Sequence, residues 1–172
     1  MILWHIGLTW LIVWFVMRGN PRVDYRVIAV ASLLPDLIDK PIGMVFFRDR
    51  YASGRIYAHT LVVNLALFCL LFFMRGRFKR QFVLVPLASL LHLAEDGVWS
   101  KAQLFWWPLF GAAFPRQRGG LLSSFDTTAL WQEAVGLAAI LFLLSAHGML
   151  SRDGLRTFLR TGMLEPPKGV AR

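Results

Sequence analysis

The stretch "VIAVASLLPDLIDK", Val27 to Lys40, decides how this chain is read. The run from Val27 to Leu34 carries no charge and suits a core or a bilayer, yet it leads into Pro35 and two carboxylates, Asp36 and Asp39. An acid buried beside such a run costs several kcal/mol unless something pairs with it. What surrounds this stretch, and what offsets its charge, therefore determine fold and function.

The surroundings are apolar. Of 172 residues 56% are hydrophobic and only 17% charged, with a mean hydropathy of +0.53. That is too greasy for an ordinary soluble domain and predicts an integral membrane protein. Apolar segments run from Ile2 to Met17, Val27 to about Leu37, Ile56 to Met74, Phe82 to about Val98, and Thr128 to Leu150. At roughly 20 residues per crossing, they predict an all-α bundle of about five transmembrane helices. The second segment is short and either kinks at Pro35 or ends inside the protein. The first lacks a basic leader and a small-residue cleavage site before Arg18, which predicts a retained span.

Residues 1–150 are thus expected to form the membrane-embedded domain and residues 151–172 a basic cytoplasmic tail, a surface helix with an irregular end. Between the fourth and fifth helices, "SKAQLFWWPLFGAAFPRQRGGLLSSFD" mixes aromatics with Gly and Pro, as an interfacial loop does. The net charge of +9 does not indicate nucleic acid, because Lys and Arg fall in short clusters between apolar runs. Twelve of the nineteen, including Arg18, Arg22, Arg26, Arg75 and Arg152, share one side. This asymmetry predicts an inner-membrane protein with its N-terminus outside and its C-terminus cytoplasmic. Cys69, the single cysteine, excludes an internal disulfide and a thiolate metal cluster.

In that topology the rare ionisable residues gather at one end. His5 starts the first span and Asp36 and Asp39 end the second. His59 opens the third, His92, Glu95 and Asp96 close the fourth, and Glu133 opens the fifth. Carboxylates and imidazoles collected without matching bases repel one another and call for a cation. His92 and Asp96, four apart, share a helix face, as do Asp36 and Asp39, three apart. The candidate ligands are His5, Asp36, Asp39, His59, His92 and Asp96, for one or two divalent ions. The mixture of imidazole and carboxylate favours zinc or another first-row metal over calcium. Each residue has a plainer role available: His5 as an interfacial neighbour of Trp4, the Asp36/Asp39 pair as a cap beside Lys40, and His59 as a solvated helix start. Glu95 either faces a neighbouring helix or pairs with Arg55. His147 lies at the opposite end of the last span, away from these acids, and is left out.

The motifs "HIGLT", "LLPDLIDKP", "GRIYAHT", "LLHLAED" and "LFWWP", in that order from His5 to Pro108, resemble the LexA-binding, inner-membrane-associated family classed as metal-dependent hydrolases. Its motif style is distantly similar to zinc-dependent phospholipase C. This chain departs from the pattern where two residues rather than one separate the acids, and where Lys40 replaces a frequent histidine. The resemblance implies a membrane-embedded metal-dependent hydrolase, and the membrane setting directs it to a lipid or lipid-linked phosphoester at the outer interface. Glu133 or Glu95 would accept the proton, and Arg55 and Lys40 would hold the phosphate. The rival readings are a metal-ion or proton transporter, which needs polar residues continuing toward the other side, and a non-catalytic protein with a closed structural metal site.

Overall fold

The computed structural model describes residues 1–17, 23–76, 79, 82–116 and 127–164, and every regular element among them is a helix. The main elements are α1 (Ile2–Val16), α2 (Tyr25–Ser32), α3 (Leu34–Lys40), α4 (Arg48–Tyr51), α5 (Leu61–Phe73), α6 (Val85–Glu95), α7 (Ala102–Phe105), α8 (Thr127–Ala146) and α9 (Arg152–Thr161).

Among the described residues only α8, with 20 residues, is long and apolar enough to cross a bilayer by itself. The apolar helices α1, α5 and α6 have 15, 13 and 11 residues. The anticipated second span is divided. Pro35 has no N–H to offer the Ala31 carbonyl, so α2 stops at Ser32 and α3 restarts with the proline in its first turn. Apart from the buried His5, Thr9 and Asn64, α1 and α5 are apolar, and Phe15, Phe72 and Phe73 point outward at 70%, 80% and 83% exposure. Helices apolar all round require either burial or lipid.

α1 lies along α8 in parallel. Glu133 meets the first residues of α1, while Trp14 meets His147 at the far end, 6.1 Å between ring centres. The two backbones touch at Gly7 and Gly136. A β-carbon at Gly136 would collide with the Leu3 carbonyl, and one at Gly7 with the Gly136 carbonyl. Small residues that let helix backbones approach in this way replace the hydrophobic drive that lipid does not supply.

The core gathers Trp10, Val13, Tyr25, Ile28, Leu143 and Phe158. Phe158 sits edge-on to Trp10 at 5.7 Å, so α9 folds back onto the bundle. The expected basic surface helix is α9, and residues 165–172 of the tail lie outside the described residues. So do Arg18, Arg22, Arg77, Arg80, Arg118, Lys168 and Arg172, on which much of the orientation argument rests.

Between α3 and α5 the chain makes a π-helical turn, Pro41–Phe46, and doubles back. Gly43 packs so closely on the Ser53 carbonyl that no side chain would fit, and Ser53 N–H donates to the Gly43 carbonyl at 3.3 Å. Over this hairpin Tyr57 meets Trp107 and Phe114 at 5.4 and 4.8 Å. Trp99, Leu109, Phe110 and Phe46 are exposed on this part of the chain. Residues 117–126 of the anticipated aromatic loop lie outside the described residues.

Candidate metal centre

The break at Pro35 places the first part of the site. A carbonyl in the middle of a helix is taken by its own ladder, but Ser32 stands at the end of α2, and its carbonyl receives His92 Nδ1–H at 2.7 Å. With the proton of His92 held on Nδ1, its Nε2 presents a lone pair inward.

His59 is set the same way by Asp39. The fully buried Asp39 carboxylate accepts backbone N–H groups of Ile56, Ala58 and His59 at 2.7, 2.9 and 3.1 Å, and His59 Nδ1–H at 2.7 Å. It thereby organises the turn before α5 and fixes the His59 ring. Thr60 caps that helix through its side chain on Val63 N–H.

The two Nε2 atoms face each other at 3.3 Å, and at most one proton fits between them. Asp36 Oδ1 lies 3.6 Å from His59 Nε2 and 3.9 Å from His92 Nε2. Asp96 Oδ2 lies 3.6 and 3.8 Å from the same two atoms. All four ligand atoms fall within 4.8 Å of one another. Four donors about 2.0–2.2 Å from a tetrahedral centre stand about 3.3–3.6 Å apart, so the cluster matches that shell or opens slightly from it. Asp36, His59, His92 and Asp96 can hold a metal ion, and their pairing of ring nitrogen with carboxylate suits one.

Around these four lies an outer layer of the kind that orients ligands in metal sites. Arg55 Nε donates to Asp96 Oδ2 at 2.6 Å, and Lys40 Nζ donates to Asp36 Oδ2 at 2.5 Å. Glu95 pairs with α1 rather than with Arg55. His5 Nδ1 donates to its Oε2 at 2.7 Å and Thr9 Oγ1 to its Oε1 at 3.1 Å. The other nitrogen of His5 is 3.5 Å from Asp96 Oδ1, and its ring lies 4.0 Å from that of His92. Partial burial and the Arg55 guanidinium both hold the Lys101 ammonium below its usual pKa.

Of the six anticipated ligands, the structure brings Asp36, His59, His92 and Asp96 together. His5 touches the far oxygen of Asp96, and Asp39 stands behind His59. Glu133 lies elsewhere at the same end. Its oxygens accept Ile2 N–H and Leu3 N–H, each at 2.6 Å, and Trp4 N–H at 3.3 Å. A carboxylate here answers the unsatisfied amides and positive dipole end of α1. Two contributors escaped the reading of the residues: the Ser32 carbonyl, signalled only by the position of Pro35, and Thr9, which has no distinguishing signal.

No curated protein and no solved structure matches this chain. A family model does match, over residues 1–154, and the chain belongs to the YdjM inner membrane protein family.

Proposed function

We propose that the protein is a membrane-embedded, zinc-dependent hydrolase of a lipid or lipid-linked phosphoester. The observation that carries this is the convergence of two inward imidazole lone pairs and two carboxylates on one point. Without a cation they offer four acceptors and no donor.

Charge supports a single divalent ion. Four carboxylates, Asp36, Asp39, Glu95 and Asp96, face two bonded cations, Lys40 and Arg55, which leaves two negative charges when the histidines are neutral. Nitrogen and oxygen donors at near-tetrahedral spacing favour zinc. When bound, such an ion supplies Lewis acidity for water attack at a phosphoryl centre.

The protein's own groups supply the rest. Arg55 spends only Nε on Asp96, and its terminal nitrogens have no partner among the described residues, so they are free for two phosphoryl oxygens. Lys40 and Lys101 add positive charge at the same rim. Because Glu133 is occupied by the amides of α1, the proton-accepting role passes to Glu95, which reaches the cluster through His5. The exposed aromatics near the site lie at headgroup level in this reading. The shorter helices α1, α5 and α6 and the broken α2–α3 pair then complete a multi-pass bundle with the cluster at its outer end.

The transport alternative needs a polar path onward. Next in line, Ser89 donates to Asn64 Oδ1 at 2.7 Å, and Asn64 Nδ2 donates to the Ala58 and Thr60 carbonyls, which saturates this pair. The test is the metal content of the detergent-purified protein beside His92→Ala/Asp96→Ala, followed by release of headgroup from phospholipid and from a prenyl phosphate. About one zinc per chain, lost with activity in the double variant, is expected. A metal-loaded protein that hydrolyses neither substrate refutes the enzymatic reading.

A further inference from the structure

Along α2, from Asp24 up to the break before α3, a groove of about 450 Å³ runs between α2 and the start of α6. Its walls are Val27, Val30, Ala31, Leu34, Phe82 and Val85, and the Asp24–Arg26 ion pair lines one end. The groove follows α2 from Arg26 to Ala31 and reaches Leu34 at the start of α3, so it lies along the helix and not across it. Val30 and Phe82 open it sideways at 59% and 38% exposure.

That end adjoins α9. Arg26 Nη1 donates to the Leu159 and Arg160 carbonyls at 2.7 and 3.1 Å, and Tyr25 N–H donates to the Gly162 carbonyl at 2.7 Å. Phe158, buried under Trp10, fixes the rotation of the helix. Arg152, Arg156 and Arg160 then form one stripe, four residues apart, and their guanidinium groups have no acidic partner among the described residues. Leu155 and Leu159 border that stripe, 44% and 62% exposed. α9 also begins six residues after α8, the helix of bilayer length, which sets the stripe at the depth of lipid headgroups.

We infer that this is a binding site for one anionic phospholipid, its phosphate on Arg156 and Arg160 and one acyl chain in the groove beside Val30. Arg26 does not itself bind the headgroup, because its donors are committed to Asp24 and to α9. Its part is to hold the end of α9, and with it Arg160, beside the mouth of the groove. The ligand is chosen by the pairing of an apolar slot along a span with unpaired cations at its interfacial end. This site stands apart from the metal cluster and does not depend on the proposed hydrolysis.

Native mass spectrometry of the detergent-purified protein, titrated with phosphatidylglycerol or phosphatidylcholine, tests it. The wild type should retain one phosphatidylglycerol in preference to phosphatidylcholine, by about 25-fold if each arginine contributes about fivefold. Arg156→Gln/Arg160→Gln should lose that preference while still taking up either lipid weakly. Val30→Trp, a change at an exposed position, should lose both. Helix content by circular dichroism should stay unchanged in each variant and reports that the fold survives. Equal retention of the two lipids by the wild type, or no effect of either variant, overturns the inference. So does a wild-type dimer that Val30→Trp dissociates, since the groove would then be a face for a second copy.

Discussion

Asp39→Asn separates a residue that orients a ligand from a residue that is one. Asp39 Oδ2 takes Ile56 N–H, His59 N–H and His59 Nδ1–H, and Oδ1 takes Ala58 N–H. In the best orientation asparagine keeps its oxygen where Oδ2 was. Its NH2 then confronts the Ala58 N–H, donor against donor, in a fully buried place. A buried donor left unmade costs about 1–3 kcal/mol. The His59 ring also loses a charged acceptor, and outer-layer changes of this kind weaken metal binding by about 10–100-fold, or about 1.4–2.7 kcal/mol. Asp36→Asn removes a direct donor and should weaken binding further.

The assay is zinc affinity by competition with a chromogenic chelator, on purified wild type and both variants. Asp39→Asn should fall between wild type and Asp36→Asn. Equal losses in the two variants would make Asp39 a ligand and refute the arrangement argued from these distances. An Asp39→Asn protein with wild-type affinity would refute the orienting role as well.

Three further outcomes are expected. Pro35→Ala restores an N–H to the Ala31 carbonyl, lets α2 and α3 join, and turns the Ser32 carbonyl back into the helix and away from His92. Zinc affinity should drop about tenfold, and unchanged affinity would contradict the role given to the break. Glu133→Gln keeps one acceptor but turns an NH2 toward the amides of α1, so thermal stability should fall by about 1–3 kcal/mol while zinc affinity stays constant, and the reverse pattern would return Glu133 to the metal site. Gly136→Ala drives a methyl into the Leu3 backbone, where no rotamer relieves it. Stability measured by thermal unfolding should fall by about 1–3 kcal/mol, and a neutral result would mean that α1 and α8 are not in backbone contact.

Polar side chains are rare in a run such as "LVPLASLLHLAED", so His92 and Asp96 stand out, and helical spacing alone puts them on one face. The assembly of Asp36, His59, His92 and Asp96 at one end was legible for that reason. The order of layers was not. Whether Asp36 or Asp39 faces the His59–His92 pair depends on the path of residues 56–59, and three backbone amides decide it in a way that no side-chain pattern encodes. Helix length was likewise hidden, because hydropathy averages across Pro35 while the backbone breaks there.

Glu133 lies at the same end of the bundle but answers a different positive charge. A lone carboxylate in "TTALWQEAVGLAA" must lie beside positive potential, and that requirement can be read from its apolar neighbours. A divalent ion and the amide end of a helix both meet it, the second through several N–H dipoles in place of one full charge. Only the packing of α1 on α8 distinguishes them, and that packing depends on Gly7 and Gly136, residues with no charge and no side chain to attract notice. The two glycines bring the backbone of α1 close enough for Glu133 to reach its first three amides. His5, one residue beyond those amides, is then aligned toward Glu95 and Asp96. Glu133 thus acts on the metal site only through the placement of α1. This is why its loss should be read in stability and leave zinc affinity where it was.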